Sequence, residues 1–335
     1  MDELNFPEEY FRDEEREGFL VTEAMKRYWA ATLETLKDFA AICERHRLSW
    51  WADWGTLLGA YRHRGFVPWD DDLDVGMRRG DYLTFLSVCG EELPDGYVVD
   101  TRENAWHKYS GFSVVSNQRG TLFDPVRLSR FHQCPFPVGF DLYVYDNCPS
   151  DPEELQKWRL SGMRYLLPME MIRKKGIRDG DTRKALKKAG FHGTYGEEDA
   201  GAVMEALCEK VDEVASFYVN EATEKIVQYT YLIRDNYEPY LYREWYEEFR
   251  SLPFEVTSVP APIHPEKTLR CFYGEHFMTP IRGTQAHEYP LYQRDIRAMI
   301  QFLEKGGIRL SDLPPELSYI RREADHRGIL YTKNK

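Results

Sequence analysis

Hydrophobic positions recur along this chain with two different spacings, which predict where its helices and strands lie. From Phe19 to about His46, apolar residues recur every three or four positions, as is typical of an amphipathic helix. Two further helices are predicted over residues 57–63 and 81–92. Shorter apolar runs predict strands near residues 48–52, 70–75, 97–101, 111–116 and 139–145. The sheet signals therefore fill the N-terminal half.

After Pro149 the pattern changes to long helical stretches. Helices are predicted near residues 151–175, 183–190, 199–233, 238–250, 265–273 and 290–305. We therefore predict an α+β fold with a mixed sheet, flanking helices and a mainly helical C-terminal half. The expected organisation is an N-terminal arm (1–17), a catalytic core (18–150) and a helical extension (151–335) that packs on the core and completes its substrate site.

Composition narrows the class of protein. A hydrophobic share of 42% and a charged share of 30% fit a soluble protein with a sizeable core. The net charge of −12 disfavours nucleic acid or an anionic membrane as a general partner, although a local basic groove is compatible with it. No apolar run is long enough to cross a bilayer, and the acidic N-terminus lacks the apolar region of a signal peptide. The six scattered cysteines predict free thiols, so we expect a cytoplasmic protein. The sequence does not define the oligomeric state.

The candidate chemistry lies in the acidic run that ends at Val75. In a strand, alternate residues face the same side, so Asp72 and Asp74 are predicted to point together while Leu73 and Val75 enter the core. Two neighbouring carboxylates repel each other unless a cation lies between them. Carboxylate oxygens suit Mg²⁺, and Mn²⁺ is the alternative metal. This pattern indicates a site for phosphoryl or nucleotidyl transfer.

Asp141 is the candidate third carboxylate. It lies between apolar residues on the strand predicted over 139–145, where an unpartnered charge costs free energy. A metal ligand, a helix cap and a hydrogen bond at the edge of the core all explain an aspartate at this position. Asp70 and Asp71, close to Pro68, fit a solvated turn with a supporting role at the site.

Substrate-binding candidates flank the acidic run. Gly55 and Thr56 open the helix predicted over 57–63, where backbone N–H groups can meet a phosphate. Arg62 near the end of that helix either clamps a phosphate or interacts with the helix dipole. An aromatic cluster near residues 237–246 fits either a cage for a cationic headgroup or ordinary helix packing. Lys108, His276 and His287 are weaker candidates for substrate or metal contacts, with solvated or hydrogen-bonded side chains as the alternative.

The stretch Gly55–Val75, with the sequence GTLLGAYRHRGFVPWDDDLDV, closely resembles the signature of the LicD family. This family includes bacterial phosphocholine transferases and the fukutin-type transferases of animals. Phe140-Asp141-Leu142-Tyr143 resembles the family's following acidic strand, and the YG…M…P pattern of Tyr273–Pro280 resembles its C-terminal element. The chain departs from the family pattern at Asp53-Trp54, where members more often have a small or apolar residue followed by glycine.

The resemblance implies a nucleotidyltransferase-like fold, a divalent metal, and transfer of a phospho-alcohol from a CDP-activated donor to a hydroxyl group of a glycan. Phosphocholine is the expected group, and a cell-surface glycan such as lipopolysaccharide or teichoic acid is the expected acceptor. Carried over by position, Asp72 and Asp74 are expected to bind the metal and Asp141 to act as ligand or base. Two alternatives stay open: transfer of a nucleoside monophosphate from a nucleoside triphosphate, and a non-catalytic glycan-binding protein of the same fold.

Overall fold

The computed structural model describes residues 4–101, 112–235, 241–282, 292–307 and 309–326. Its strands are β1 (Glu14–Arg16), β2 (Phe19–Val21), β3 (Trp50–Ala52), β4 (Asp74–Arg78), β5 (Val98–Asp100), β6 (Ser113–Ser116), β7 (Gly139–Cys148), β8 (Lys225–Val227), β9 (Leu241–Tyr242), β10 (Phe249–Phe254) and β11 (Thr257–Pro262). Its α-helices are α1 (Glu23–His46), α2 (Trp54–Arg62), α3 (Arg79–Glu92), α4 (Pro125–Arg130), α5 (Pro152–Lys175), α6 (Gly180–Lys188), α7 (Ala200–Ala215), α8 (Tyr229–Asp235), α9 (Pro265–Tyr273), α10 (Tyr292–Lys305) and α11 (Ser318–His326).

A mixed seven-stranded sheet organises the molecule. Five strands follow the order β3-β4-β7-β6-β5, and β8 joins them by pairing with the C-terminal end of β7 and with β9. Strands β4 and β7 run parallel, whereas the other neighbouring pairs are antiparallel. The predicted mixed sheet with flanking helices is therefore confirmed. Within the described residues, no helix is long and apolar enough to span a membrane.

The long helix α1 covers one face of the sheet. Thr22 caps its N-terminus by accepting a hydrogen bond from the Met25 N–H, and Arg47 ends it in the left-handed conformation (φ 57°). Its buried stripe, which includes Leu36 and Phe39, joins side chains from the sheet in the largest core. The C-terminal elements β10, β11 and α9–α11 contribute to the same core, whereas α5–α8 enclose a separate one.

Arg79 connects the sheet to the helices that follow it. The guanidinium donates to both carboxylate oxygens of Asp146 on β7, at 2.7 and 2.9 Å, and to Asp212 on α7 at 2.9 Å. The side chains of Arg79 and Asp146 are both buried. Because a buried charge is costly without a partner, this three-residue network fixes α3, β7 and α7 together.

Several predicted elements need correction. Strand β4 begins at Asp74, so Asp72 lies in the irregular segment before it and is not a strand residue as predicted. The helix predicted over 199–233 was wrong beyond α7, because that stretch also contains β8 and α8. The helix predicted over 238–250 was also wrong: of its described residues, those at 249 and 250 begin the hairpin formed by β10 and β11. The prolines near residue 260 lie in this two-stranded hairpin, where strand edges tolerate a missing N–H.

Candidate active site

Parallel pairing of β4 and β7 places two aspartates side by side. Asp74 is the first residue of β4, and its register partner is Asp141 on β7. The Asp141 N–H donates to the Leu73 carbonyl at 2.8 Å, which fixes the chain at the point where the acidic run enters the strand. Carboxylate oxygens of Asp72, Asp74 and Asp141 all lie within 4.8 Å of one another. The structure therefore brings together the three predicted acids, although Asp72 reaches the cluster from the loop and not from the strand.

The electrostatics of the three-aspartate cluster are unfavourable for the protein alone. Asp74 is buried, and Asp72 and Asp141 are partly buried. Burial and the neighbouring charges of Asp72 and Asp141 raise the pKa of the Asp74 carboxyl well above its usual range. Burial and the charge of Asp72 likewise raise the pKa of the Asp141 carboxyl. Among the described side chains, no lysine or arginine forms a salt bridge with Asp74 or Asp141. A divalent cation would supply the missing positive charge.

The N-terminus of α2 holds Asp74 in place. The Gly55 N–H donates to the Asp74 carboxylate at 2.9 Å, and the Asp74 N–H donates to the Thr56 hydroxyl oxygen at 2.7 Å. A Cβ on residue 55 would lie 2.5 Å from the Asp70 carboxylate oxygen, so only glycine allows this approach. The contacts give Gly55 and Thr56 a positioning function, and their predicted contact with substrate phosphate stays a prediction.

Asp70 and Asp71 belong to the loop predicted for them, but the loop is packed and not solvated. The Trp29 indole N–H donates to the Asp70 carbonyl oxygen at 3.2 Å, and Asp71 is buried. Burial and the charges of Asp72 and Asp71 raise the pKa of the Asp70 carboxyl. Carboxylate oxygens of Asp70, Asp71 and Asp72 lie within 4.8 Å of one another, so Asp72 is common to two acidic groupings. The interpretation of Asp70 and Asp71 as a solvated turn was therefore wrong.

A cavity of about 310 Å³ opens beside these acids. Its lining includes Asp70, Asp71, Trp69, Tyr273 and Phe277, so carboxylates and aromatic rings face the same space. Burial, together with the nearby aspartate charges, raises the pKa of the Tyr273 hydroxyl, which therefore stays protonated at neutral pH. The cavity is suited to a small cationic group, which both aromatic faces and carboxylates attract.

Arg62 also borders this cavity, but its guanidinium is engaged by the protein. It donates to the carbonyl oxygen of Phe277 at 2.7 Å and to that of Thr279 at 3.3 Å. These bonds hold the segment after α9 against α2. The stacked rings of Trp54 and Phe272, with centroids 4.1 Å apart, hold α9 itself against α2. Binding of a donor phosphate by Arg62 stays a prediction.

A buried network around Asp53 was not predicted as part of the site. Asp53 is fully buried at the start of α2, and its carboxylate accepts hydrogen bonds from the Tyr145 hydroxyl at 2.7 Å and from the Gln228 amide at 3.3 Å. Burial raises the pKa of Asp53 to about 7. The Asp53 N–H donates to the Asp74 carbonyl oxygen at 3.0 Å, so the network adjoins the acidic site. The departure from the family pattern at residue 53 was the available signal.

Of the remaining candidates, some are packed in a core, one lines the cavity and others lie outside the described residues. Trp245 and Tyr246 are buried in a core with Trp51 and Tyr145, which supports packing over a headgroup cage. His276 lines the cavity beside the acids. Three members of the candidate set lie outside the described residues: Lys108, His287 and the part of the aromatic cluster at 237–240.

The mixed sheet, with the acidic cluster on its central strands β4 and β7, forms an α/β domain. Residues 47–133 match the family model described as LicD/FKTN/FKRP, nucleotidyltransferase domain. The chain therefore carries a LicD-family domain, and the family predicted from the sequence is confirmed. The matched residues include Asp72 and Asp74 but end before Asp141, whose place in the site rests on the strand register.

Named relatives match parts of the chain. The lipopolysaccharide cholinephosphotransferase LicD of Haemophilus influenzae is 31% identical over 157 residues, which cover 46% of this chain and 57% of the relative. Ribitol 5-phosphate transferase FKRP of Homo sapiens is 36% identical over 78 residues, which cover 23% of this chain and 15% of the relative. The chain thus spans just over half of the first relative and a small part of the second.

Proposed function

We propose that this protein transfers a phospho-alcohol, with phosphocholine as the leading candidate, from a CDP-activated donor to a hydroxyl group of a cell-surface glycan, and that it releases CMP. The observation that carries the proposal is the convergence of three aspartates: Asp72 and Asp74, which lie among the residues that match the LicD family model, and Asp141, which the pairing of β4 and β7 brings beside them. The activities named for two relatives, a cholinephosphotransferase and a ribitol 5-phosphate transferase, support the class of reaction.

The residues of the cluster fit a divalent metal. Three carboxylates supply hard oxygen ligands within 4.8 Å of one another, and no described salt bridge neutralises Asp74 or Asp141. Mg²⁺ typically binds through a small number of carboxylates together with substrate phosphates, and Mn²⁺ accepts the same ligands. We propose Asp72, Asp74 and Asp141 as the ligands. When bound, the ion supplies positive charge that stabilises the diphosphate and the departing CMP.

In the proposed reaction the acceptor hydroxyl oxygen attacks the phosphorus that carries the alcohol, and the bond from this phosphorus to the CMP oxygen breaks. The hydroxyl proton passes to a carboxylate, for which Asp141 is the candidate base. Gly55 and Thr56 keep Asp74 fixed during this exchange through the hydrogen bonds at its carboxylate and backbone N–H. Because these groups are held before substrate arrives, little reorganisation accompanies the chemistry.

Choline as the transferred alcohol is supported by the cavity beside the acids. Its aromatic residues Trp69 and Tyr273 attract a quaternary ammonium through cation–π contacts, and a cation in the cavity favours the ionised form of the Asp70 carboxyl, which then adds opposite charge. A neutral polyol such as ribitol would gain neither attraction. We therefore propose that the donor's headgroup occupies this cavity while its diphosphate lies at the three-aspartate cluster.

A panel of thermal shifts with product analysis tests the proposal. The ligands are CDP-choline, CDP-ethanolamine, CDP-ribitol and CTP, each with and without Mg²⁺. Because a ligand that binds the folded state stabilises it, CDP-choline should raise the melting temperature most, and only with the metal present. With an acceptor glycan the product should be CMP. A shift with CTP together with pyrophosphate release would instead support nucleotidyl transfer, and no shift with any nucleotide would contradict both enzymatic functions.

A further inference from the structure

One segment of this acidic chain is strongly basic. Between residues 157 and 188 there are eleven lysines and arginines against three acidic residues, a net charge of +8 within a chain of net charge −12. The rest of the chain therefore carries −20. The segment covers most of α5 and all of α6, far in sequence from the proposed metal ligands.

The outer face of α5 also exposes large apolar side chains. The helix buries Trp158, Leu166 and Met169 against the second core. On the opposite face, Leu160 and Leu167 are 53% and 56% exposed, and Met163 between them is 38% exposed. The spacing of three and then four residues places these side chains in one line on the helix surface. Such a line differs from the scattered apolar residues of an ordinary surface.

Helix α6 packs beside α5 and exposes basic residues of its own. The Arg164 side chain on α5 donates to the Lys188 carbonyl oxygen at the end of α6 at 2.7 Å, and Lys175 pairs with Asp181 at its start at 3.2 Å. The two helices therefore lie alongside each other in opposite directions. The exposed basic residues of α6 are Arg183, Lys184, Lys187 and Lys188. We call this surface, formed by the exposed residues of α5 and α6 from 157 to 188, the α5–α6 face.

We propose that the α5–α6 face docks on the surface of an anionic lipid bilayer. Clustered lysines and arginines are attracted to anionic headgroups, and leucine and methionine side chains gain free energy when they enter the interfacial region. A nucleic acid would use the positive charge but would gain nothing from Leu160 and Leu167. The charge of −20 on the rest of the chain is repelled by the same bilayer, so it orients the protein with this face toward the lipid. This inference is independent of the proposed transfer reaction.

Vesicle co-sedimentation of the full chain tests the inference. One set of vesicles is pure phosphatidylcholine, and the other contains equal parts phosphatidylcholine and phosphatidylserine. Wild-type protein should partition onto the anionic vesicles at least tenfold more strongly, roughly as expected for several basic residues near a charged surface, and high salt should weaken the binding. Equal partition onto both sets, or binding to duplex DNA without binding to vesicles, would overturn the proposal.

Two pairs of variants separate charge from apolar contact. Lys187→Glu with Lys188→Glu, and separately Leu160→Ser with Leu167→Ser, should each lower partition onto anionic vesicles by about tenfold. The matched controls change exposed residues elsewhere: Lys305→Glu with Arg321→Glu for charge, and Leu83→Ser, at a residue 48% exposed on α3, for apolar surface. Melting temperatures verify folding. Controls that lose as much binding as the α5–α6 variants would overturn the proposal, as would α5–α6 variants that bind like wild type.

Discussion

The three-aspartate cluster concentrates negative charge in a largely buried site, whereas the α5–α6 face concentrates positive charge on the exposed surface. In the cluster, Asp74 is buried and the other two carboxylates are partly buried. Hydrogen bonds with the Gly55 N–H and the Thr56 hydroxyl hold Asp74 in place. The α5–α6 face exposes its charges, and pairs such as Lys174–Glu170 and Lys175–Asp181 form between exposed side chains. Exposed pairs contribute little to stability, whereas buried like charges demand a counterion. Substitutions in the cluster should therefore lower the rate of CMP release. Substitutions on the α5–α6 face should lower binding to anionic vesicles and leave CMP release unchanged.

The largest effect is expected from Asp74→Asn. The substitution keeps the side-chain shape but removes a charge that we assign to metal binding, so CMP release should fall by roughly 10³-fold or more, within the range of lost electrostatic stabilisation at active sites. Asp95→Asn, at an exposed residue, is the control and should keep full activity. Steady-state CMP release measures both. A variant at residue 74 with activity near wild type would remove the basis for the metal assignment.

The network at Arg79 tests how much the contact between the sheet, which carries the three-aspartate cluster, and helix α7 contributes to stability. Arg79→Met removes the guanidinium that Asp146 and Asp212 both contact, one of them buried. Breaking a buried ion pair typically costs about 3–5 kcal/mol, so the denaturant midpoint should fall sharply. Arg183→Met, at an exposed residue of α6, should change stability little. Similar midpoints for the two variants would show that Arg79 contributes no more than a surface residue.

Gly55→Ala probes the close approach of α2 to the acids. The new Cβ would lie 2.5 Å from an Asp70 carboxylate oxygen and 3.2 Å from an Asp74 oxygen, so the carboxylates must move. A displacement of about 1 Å at a reactive site can cost about 100-fold, and we expect a loss of turnover of 10- to 100-fold. Gly80→Ala in α3 meets nothing within 4 Å and should leave turnover unchanged. Equal activity in both variants would mean that the cluster tolerates displacement.

A pH-dependent effect on stability is expected from Asp53. Burial raises its folded-state pKa to about 7, above the unfolded value near 3.9, so the folded chain holds this proton more tightly. Its stabilising contribution is complete below about pH 4 and is lost as the pH rises to about 7, at up to about 1.4 kcal/mol per pH unit. Chemical denaturation across this range should show a shallower decline for Asp53→Asn than for wild type. Parallel curves would indicate that the Asp53 pKa does not shift.

The motif Gly55–Val75 allowed much of the site to be predicted from sequence, because most of the residues that build it are close together in the chain. It identified α2 and the acidic loop, and the apolar neighbours of Asp141 identified its strand. The predicted strand nevertheless began too early. Asp72 points into the cluster from an irregular loop whose path depends on contacts with distant residues, such as the hydrogen bond from Trp29 to Asp70.

Contacts between distant segments explain what the sequence could not predict. Asp53 forms hydrogen bonds with Tyr145 and Gln228, which are 92 and 175 residues away in the chain. The spacing of hydrophobic residues does not predict contacts between such distant positions. The three-residue strand β8 is too short to produce a pattern and forms because it pairs with the end of β7. The α5–α6 face was missed because the net charge of the whole chain concealed a local excess of +8.

The central claim, that Asp72, Asp74 and Asp141 form one metal site, is tested most directly by titrating Mn²⁺ into the protein in the presence of CDP and following free Mn²⁺ by electron paramagnetic resonance. Wild-type protein should bind one Mn²⁺ per chain, and Mg²⁺ should displace it. Asp72→Asn, Asp74→Asn and Asp141→Asn should each weaken binding by about tenfold or more, as expected when a ligand is lost, whereas Asp95→Asn should bind like wild type. Unchanged Mn²⁺ affinity in all three variants would contradict the claim.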